Sequence, residues 1–522
     1  MEVDIYDEIF GGLPGQVEQN YGLHPMLIDH VVERVLESMD PELLGHYCKI
    51  FRCVSKDWCR VATRVYRQRR GRITFKKNFI GRVTELFIRV MRTSSDIPFD
   101  KFRFCTDSYD DENFGDLLHE CSGAIVNLEL LLTNPCDLKF PKDLSDLVLG
   151  RLKSLTLHVR IDSHAELQPE MPSLFVSLLR GSPNLRRLDL KVFGGTPKTV
   201  QMINVKQQIV NKFGDALVNN FPSTVRELKL NMTLTDEQLQ KLTQKQKDIL
   251  SLEVYFQQST FGHGTLQQFL ESVAPTLLHC KAVGSQFLVE MDFPVFPRLQ
   301  YLVALGRPPP LLYYKQIFPR LSKLEICLWD EDQQGSVFPD NCQSETVIEM
   351  DFPYAITKPL VITRVSHCFQ NLKILRNVVI GSFTAMSMIF EKLKSLSELD
   401  LYLGAEFHDM DRRGLAVDGV FTGFPPEMCE WLLRHKEYCS SPSTLVQRWD
   451  HKSSLRRLRN LKTLRLSACH MRSASTIRLT DITVNFALLQ MENLEKLHLD
   501  FFPMSEKSVE RLDNKFRLTR PC

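Results

Sequence analysis

The sequence predicts an α/β protein in which a small all-helical module precedes an irregular array of strand–helix repeats that share one curved parallel sheet. Three observations carry this expectation. A short pattern, apolar-x-x-apolar-x-apolar, returns through most of the 522 residues. Amphipathic segments with helical spacing separate its copies. The first 70 residues lack the pattern and carry wide apolar stripes of helical period instead. With 43% hydrophobic and 25% charged residues the chain has the mixture of a soluble protein that buries a large core, and its length excludes a single small domain.

The amino terminus, MEVDIYDEIFGGLPGQ, is acidic where a secretory signal would be basic and then apolar, so residues 1–23 are expected to be a flexible acidic segment. Fourteen cysteines in so long a chain make no dense disulfide framework, and a reducing compartment, cytoplasm and/or nucleus, follows. Apolar runs stay well short of the length that spans a bilayer, so no membrane association is expected. The net charge of +2 gives no field for tracking phosphates, and no nucleic-acid partner is expected either.

Residues 24–70 form the helical module. Leu27, Val31, Val32, Val35, Leu36 and Met39 make one stripe. Asp40-Pro41-Glu42 ends that helix and starts another, because proline suits a first helical position and acidic side chains suit the first turn. Val54, Trp58, Val61, Ala62 and Val65 make a further amphipathic helix.

Residues 71–522 hold the repeats. Eight copies are clear: Leu152-Leu155-Leu157, Leu185-Leu188-Leu190, Val225-Leu228-Leu230, Ile249-Leu252-Val254, Leu321-Leu324-Ile326, Leu396-Leu399-Leu401, Leu461-Leu464-Leu466 and Leu494-Leu497-Leu499. Weaker copies begin at Val83, Ile125, Leu277, Leu299 and Leu372. The last positions of each copy alternate, the period of a strand with one buried face. Helical spacing follows at Leu174-Leu178, at Leu266-Phe269-Leu270-Val273 and at Ile389-Leu393. No single unit buries its strand face alone, so neighbours must stack, as in a leucine-rich-repeat solenoid. Two intervals, 327–371 and 402–460, break the period and are expected to be insertions or divergent repeats. The second contains a helical stripe at Met428, Trp431, Leu432 and Leu433.

The module resembles the F-box, on Leu27, Val35-Leu36, Met39, Asp40-Pro41, Leu43 or Leu44, and Val54-Ser55-Lys56-Asp57-Trp58. Ile28 stands where that family has proline, and the stretch from Asp40 to Trp58 is a few residues longer than usual. The resemblance implies that the module docks on a Skp-type adaptor and through it on a cullin–RING ubiquitin ligase. It marks Leu27, Val35, Leu36, Met39, Pro41, Leu43, Val54 and Trp58 as adaptor-binding positions. The order F-box then leucine-rich repeats is that of substrate receptors of SCF-type ligases, which implies a target protein held by the repeats.

Polar residues that alternate with core leucines would line the concave sheet and form the target-binding surface: His158, Arg187, Asp189, Lys191, Glu227, Lys229, Glu253, Tyr255, Lys323, Glu325, Glu398, Asp400, Tyr402, Arg465 and His498. The mixed signs favour local complementarity over one charged field. Catalytic chemistry has no visible carrier. The sequence holds no GxxxxGK[ST] loop, HExxH helix or GxSxG elbow, and neither a cofactor nor a metal is expected. Cys48, Cys53 and Cys59 have no zinc-type spacing and read as buried small apolar residues, and His408, Asp409 and Asp411 as a solvated turn. The basic run from Arg60 to Lys77 reads as a solvated face. A repeat scaffold without ligase association, its first helices acting as a cap, stays open beside the receptor reading.

Overall fold

The computed structural model describes residues 32–37, 41–70, 72–75, 88–89, 99–105, 114–132, 144, 146–161, 170–194, 200–246, 248–255, 263–283, 294–305, 314–327, 338, 343–353, 356–403, 415–435, 454–468, 479–500 and 504–519. The chain divides into two compact units, Met1–Gln246 and Lys247–Cys522. Leu27, Val31, Met39 and Val83, the turn at His408 to Asp411, Lys76, Lys77 and the 1–23 segment lie outside the described residues, as do the side chains of Pro41 and Leu43.

Among the described residues the first unit begins with three helices, α1 (residues 32–37), α2 (Pro41–Arg52) and α3 (Lys56–Arg70). Strands β1 (Arg72–Phe75), β2 (Lys101–Cys105), β3 (Asn127–Leu132), β4 (Ser154–Ile161), β5 (Arg187–Gly194) and β6 (Glu227–Asn231) follow. Each pairs in parallel with the next in sequence. Among the described residues α4 (Phe114–Cys121), α5 (Glu170–Arg180), α6 (Val200–Asn220) and α7 (Asp236–Lys245) fall between or after these strands.

The second unit repeats the scheme with β7 (Ser251–Tyr255), β8 (His279–Val283), β9 (Tyr301–Leu305), β10 (Lys323–Cys327), β11 (Glu349–Asp351), β12 (Ile374–Ile380), β13 (Glu398–Leu403), β14 (Thr463–Ala468), β15 (Lys496–Asp500) and β16 (Arg517–Thr519), again parallel and in sequence order. Among the described residues its α-helices are α8 (His263–Val273), α9 (Tyr314–Ile317), α10 (Pro359–Cys368), α11 (Phe383–Lys392), α12 (Leu415–Thr422), α13 (Pro426–Arg434), α14 (Asp481–Phe486) and α15 (Glu506–Lys515). Parallel strands in chain order, with helices between most of them, make this an α/β leucine-rich-repeat protein.

The repeat pattern explains the packing. In β3 burial alternates along the whole strand, with Leu128, Leu130 and Leu132 inward. Each leucine sequestered this way is worth about 1.5–3 kcal/mol. The first residue of each motif closes the turn into the strand: the Leu152 amide donates to the Leu149 carbonyl at 3.0 Å, and the next two amides share the Val126 carbonyl of the preceding repeat. Gly181 ends α5 where a Cβ would stand 2.1 Å from the Leu147 carbonyl oxygen, so no larger residue fits without displacing that turn.

The clear motifs all form strands, and the stripes at Leu174, Leu266, Ile389 and Met428 all lie on helices. Strands β1, β2, β11 and β16 were not expected. Two of them obey the same spacing with other residues, Phe99-Phe102-Phe104 before and in β2 and Val347-Met350-Phe352 around β11, all buried. Interval 327–371 therefore contains a repeat that begins at Val347, 26 residues after Leu321 and 25 before Leu372, with α10 as its helix. Interval 402–460 differs, since after the end of β13 its described residues before 454 form two helices, α12 and α13, joined by a short turn, and Phe424 of that turn with Cys429 and Leu432 shares a cluster with Ile482 and Phe486 of α14.

Asp418 of α12 is fully buried in that insertion. It accepts hydrogen bonds from the Thr480 hydroxyl at 2.6 Å and the Thr483 hydroxyl at 2.5 Å, which ties the insertion to α14. Burial pushes its carboxyl up to about 6, against the opposing effect of these bonds.

Candidate functional site

The helical module closes a small core of its own. Val32, Leu36, Cys48, Val61, Ala62 and Val65 are buried together, with Phe51, Trp58 and Tyr66 packed on them. Ser55 explains the Val-Ser-Lys-Asp-Trp stretch: its hydroxyl accepts from the Trp58 amide at 3.2 Å and caps α3. Trp58 is half-buried against Phe51, with ring centroids 5.1 Å apart. Leu36 has 0% exposure, so among the expected adaptor-binding positions it holds helices together and offers no surface. Val35 and Val54 do face outward, at 38% and 41% exposure, and Tyr47 and Ile50 join them at 37% and 46%. Tyr47, Ile50 and Val54 stand at i, i+3 and i+7, one face of α2 and the turn that follows it.

The expectation for the three cysteines needs correcting. Cys48 is buried, but Cys59 is half-buried and Cys53 exposed, because Cys53 falls in the turn between α2 and α3. No cluster of potential metal ligands exists among the described residues. Part of the basic run is paired locally, Arg64 with Glu33 at 3.0 Å, Arg60 with Asp57 at 3.6 Å and Arg72 with Glu129 at 3.3 Å.

In the first unit the polar residues of the strands form an open face whose register sets Thr156 beside Asp189 beside Lys229, and Arg187 beside Glu227. Asp189 is 8% exposed, with His158 Nε2 at 3.4 Å and Lys229 Nζ at 3.9 Å. Arg187 lies 3.8 Å from Glu227, and Arg103 3.5 Å from Glu129. Lys191 sits 4.8 Å above the exposed ring of Phe193.

The open face of the second unit is a denser ladder. Glu253 accepts from the Tyr255 phenol at 2.8 Å and pairs with Lys281 at 3.1 Å. Glu325 accepts from the Tyr301 phenol at 2.7 Å, and Lys323 bridges Glu349 at 2.6 Å and Asp351 at 3.2 Å. Arg376 donates through two nitrogens to Glu398, at 2.7 and 3.1 Å, and reaches Glu349 at 2.9 Å. Arg465 and Ser467 both meet Asp500. Five carboxylates, Glu325, Glu349, Asp351, Glu398 and Asp400, stand against Lys323 and Arg376 on β10 to β13. Burial holds Asp351 and Asp400 above the ordinary carboxylate range. Burial and the Glu325 hydrogen bond raise the Tyr301 phenol.

All fifteen expected target-binding residues lie on the open strand faces, with Tyr402 and His498 half-buried there. Sequence reasoning missed Lys281, Tyr301, Glu349, Asp351, Arg376 and Asp500. The first two and Arg376 alternate with apolar residues in the weaker copies at Leu277, Leu299 and Leu372, and Glu349 and Asp351 belong to the Val347 repeat. Among the described residues no helix is long and apolar enough to cross a membrane.

No family model matches the chain, and no curated protein does. Among solved structures, a yeast complex of Rad7 and Elc1 matches with 14% identity and a TM-score of 0.33, over 95% of this chain and 91% of that one. A complex of TLR13 with ssRNA13 matches with 14% identity and a TM-score of 0.37, over 84% of this chain and 53% of that one, so the chain spans about half of its length.

Proposed function

We propose that the chain is the substrate-recognition subunit of an SCF-type E3 ubiquitin ligase, its amino-terminal module docking on a Skp-type adaptor and its repeats binding a target protein. One observation carries the reading. The module completes a core yet leaves Val35, Tyr47, Ile50 and Val54 exposed, four of the ten large apolar residues exposed among the described residues. Apolar surface at that density on so small a body suits a partner. The family pattern read in the sequence names the partner's type.

The receptor performs no covalent chemistry. Its contribution is proximity: holding a target lysine near a charged conjugating enzyme turns an encounter into an intramolecular event. The open faces offer paired charges, so a target must match alternating signs and displace few of the existing partners. Co-expression with a Skp-type adaptor is the test. A stoichiometric complex is expected; a chain that stays monomeric in its presence refutes the reading.

The scaffold alternative has its own observation, the contact of Tyr66 on α3 with Phe99, ring centroids 6.2 Å apart, by which the module also meets residues at the start of the repeats. A cap would make that contact and need no adaptor.

A further inference from the structure

The open face of the first unit is divided by charge. Along β2 to β6 the register arranges the outward residues in rows that run across the strands. The outward carboxylates of these strands, Glu129, Asp189 and Glu227, all fall in the first two rows. The third row, Cys105, Leu131, His158, Lys191 and Asn231, holds none, and Arg160 beside Phe193 makes the fourth. We infer that the third and fourth rows bind an acidic segment of a partner protein, with a carboxylate at Lys191 and an apolar side chain on Phe193.

Phe193 supplies the anchor. It is 36% exposed, and among the described residues no other large apolar side chain is exposed on a strand. Aromatic side chains at the centre of a contact carry much of its energy, and this one sits on a backbone held by parallel partners on both sides of β5. Lys191 Nζ, 4.8 Å from the ring centroid, holds the pair in place before a partner arrives.

Lys191 sets the sign of the partner. Arg187 lies against Glu227 and Lys229 against Asp189, whereas among the described residues Lys191 meets no carboxylate and has the Phe193 ring instead. An incoming carboxylate therefore adds an ion pair there without displacing one. A basic segment would meet Lys191 and Arg160 with no carboxylate in either row. The apolar flank continues at half-buried Leu131, two strands from Lys191. With strands about 4.8 Å apart and a rise of about 3.3 Å per residue, Leu131 and Phe193 are about 12 Å apart, the reach of about four extended residues. A nucleic-acid strand fits less well, because Asp189 and Glu129 stand one row away and would oppose its successive phosphates.

The inference rests on the reading that the repeats hold a target protein, and it names the chemistry of that target. Selection from a phage library of random twelve-residue peptides on the full chain tests it, followed by fluorescence polarisation with the best peptide and with a ten-nucleotide RNA. Selected peptides are expected to carry aspartate or glutamate within two residues of leucine or an aromatic residue. Lys191→Glu and Phe193→Ala are each expected to weaken the best peptide about tenfold, with unchanged thermal melting because both side chains point outward. Phe193→Leu, which keeps an apolar anchor, is expected to retain most of the affinity. A peptide with its acidic residues replaced by lysine is expected to bind Lys191→Glu more tightly than the wild type, a gain that no folding defect produces. A selection that yields no peptides or peptides without acidic enrichment, unchanged affinity in either weakening variant, or tighter binding of the RNA than of the best peptide overturns the inference. The adaptor complex is read separately, so a failed selection leaves the receptor reading standing and a missing adaptor leaves this surface standing.

Discussion

Asn184 donates its side-chain amide to the Gly150 carbonyl at 2.7 Å, and the same bond recurs from Asn371 to Glu345, Asn460 to Lys394 and Asn493 to Arg459. Each asparagine precedes the first apolar residue of its motif, and each acceptor lies two residues before the first apolar residue of the preceding motif. Where that position is Thr224, Thr276 or Ser395, the hydroxyl donates to the carbonyl of Leu185, Ile249 or Leu372, and the Thr224 hydroxyl also lies 3.2 Å from the Pro183 carbonyl, the acceptor position that the asparagines use. The regular leucine-rich-repeat pattern, with its asparagine after the strand, does not disclose this ladder, because here the donors stand before the motif. The bond to Glu345 also marks Val347 as a true repeat start, which no leucine count reveals. Asn184→Ala should cost about 1 kcal/mol, seen as a lower denaturant midpoint with an unchanged slope. Asp418 makes a second prediction at this scale. Its folded carboxyl is raised from 3.8 to about 6, so between those values the folded state binds a proton that the unfolded chain does not. Stability contributed by this group therefore rises as pH falls through 6 and levels off below 4, by an amount on the order of 1–3 kcal/mol. Asp418→Asn should flatten that part of the stability–pH curve.

Among the elements, strands with leucine at the key positions were legible because alternation and spacing coincide there. β11 was not, because Val347, Met350 and Phe352 fill the same inward sites without a leucine among them, and packing accepts any apolar side chain of suitable volume. β12 adds a feature that no periodicity discloses. Its register against β13 shifts between Leu375 and Val378, and Asn377 takes a φ of 55° in that bulge, exposed, with its backbone amide donating to the Asp400 carboxylate. Asparagine tolerates this left-handed geometry better than residues with a branched Cβ. Asn377→Gly should be tolerated within about 0.5 kcal/mol, whereas Asn377→Val should cost about 1–2 kcal/mol, both measured by chemical denaturation. Helix α7 starts on a reciprocal capping box of Thr235 and Gln238, a local signal that apolar periodicity does not carry.

For the molecule as a whole, the division of labour turns on whether the exposed side chains of the module serve its own stability or a partner. The two roles fall on different residues. Leu36 is enclosed with Val32, Val61 and Val65, so Leu36→Ala removes packing at a closed site and should cost about 2–5 kcal/mol and unfold the module. Ile50 and Val54 face solvent, and neither belongs to that cluster. Ile50→Glu with Val54→Glu should thus leave the melting temperature within a degree or two, since exposed substitutions usually change stability by less than about 0.5 kcal/mol. In a complex with a Skp-type adaptor the same pair would be buried, and two carboxylates forced into an apolar contact should weaken co-purification at least about a hundredfold. A scaffold whose helices only cap the repeats predicts no effect of this pair on any binding. The measurement is a pull-down of the adaptor with the double variant beside a melting curve: loss of adaptor with an unchanged melt supports a receptor, and retained adaptor means that the module docks by some other face.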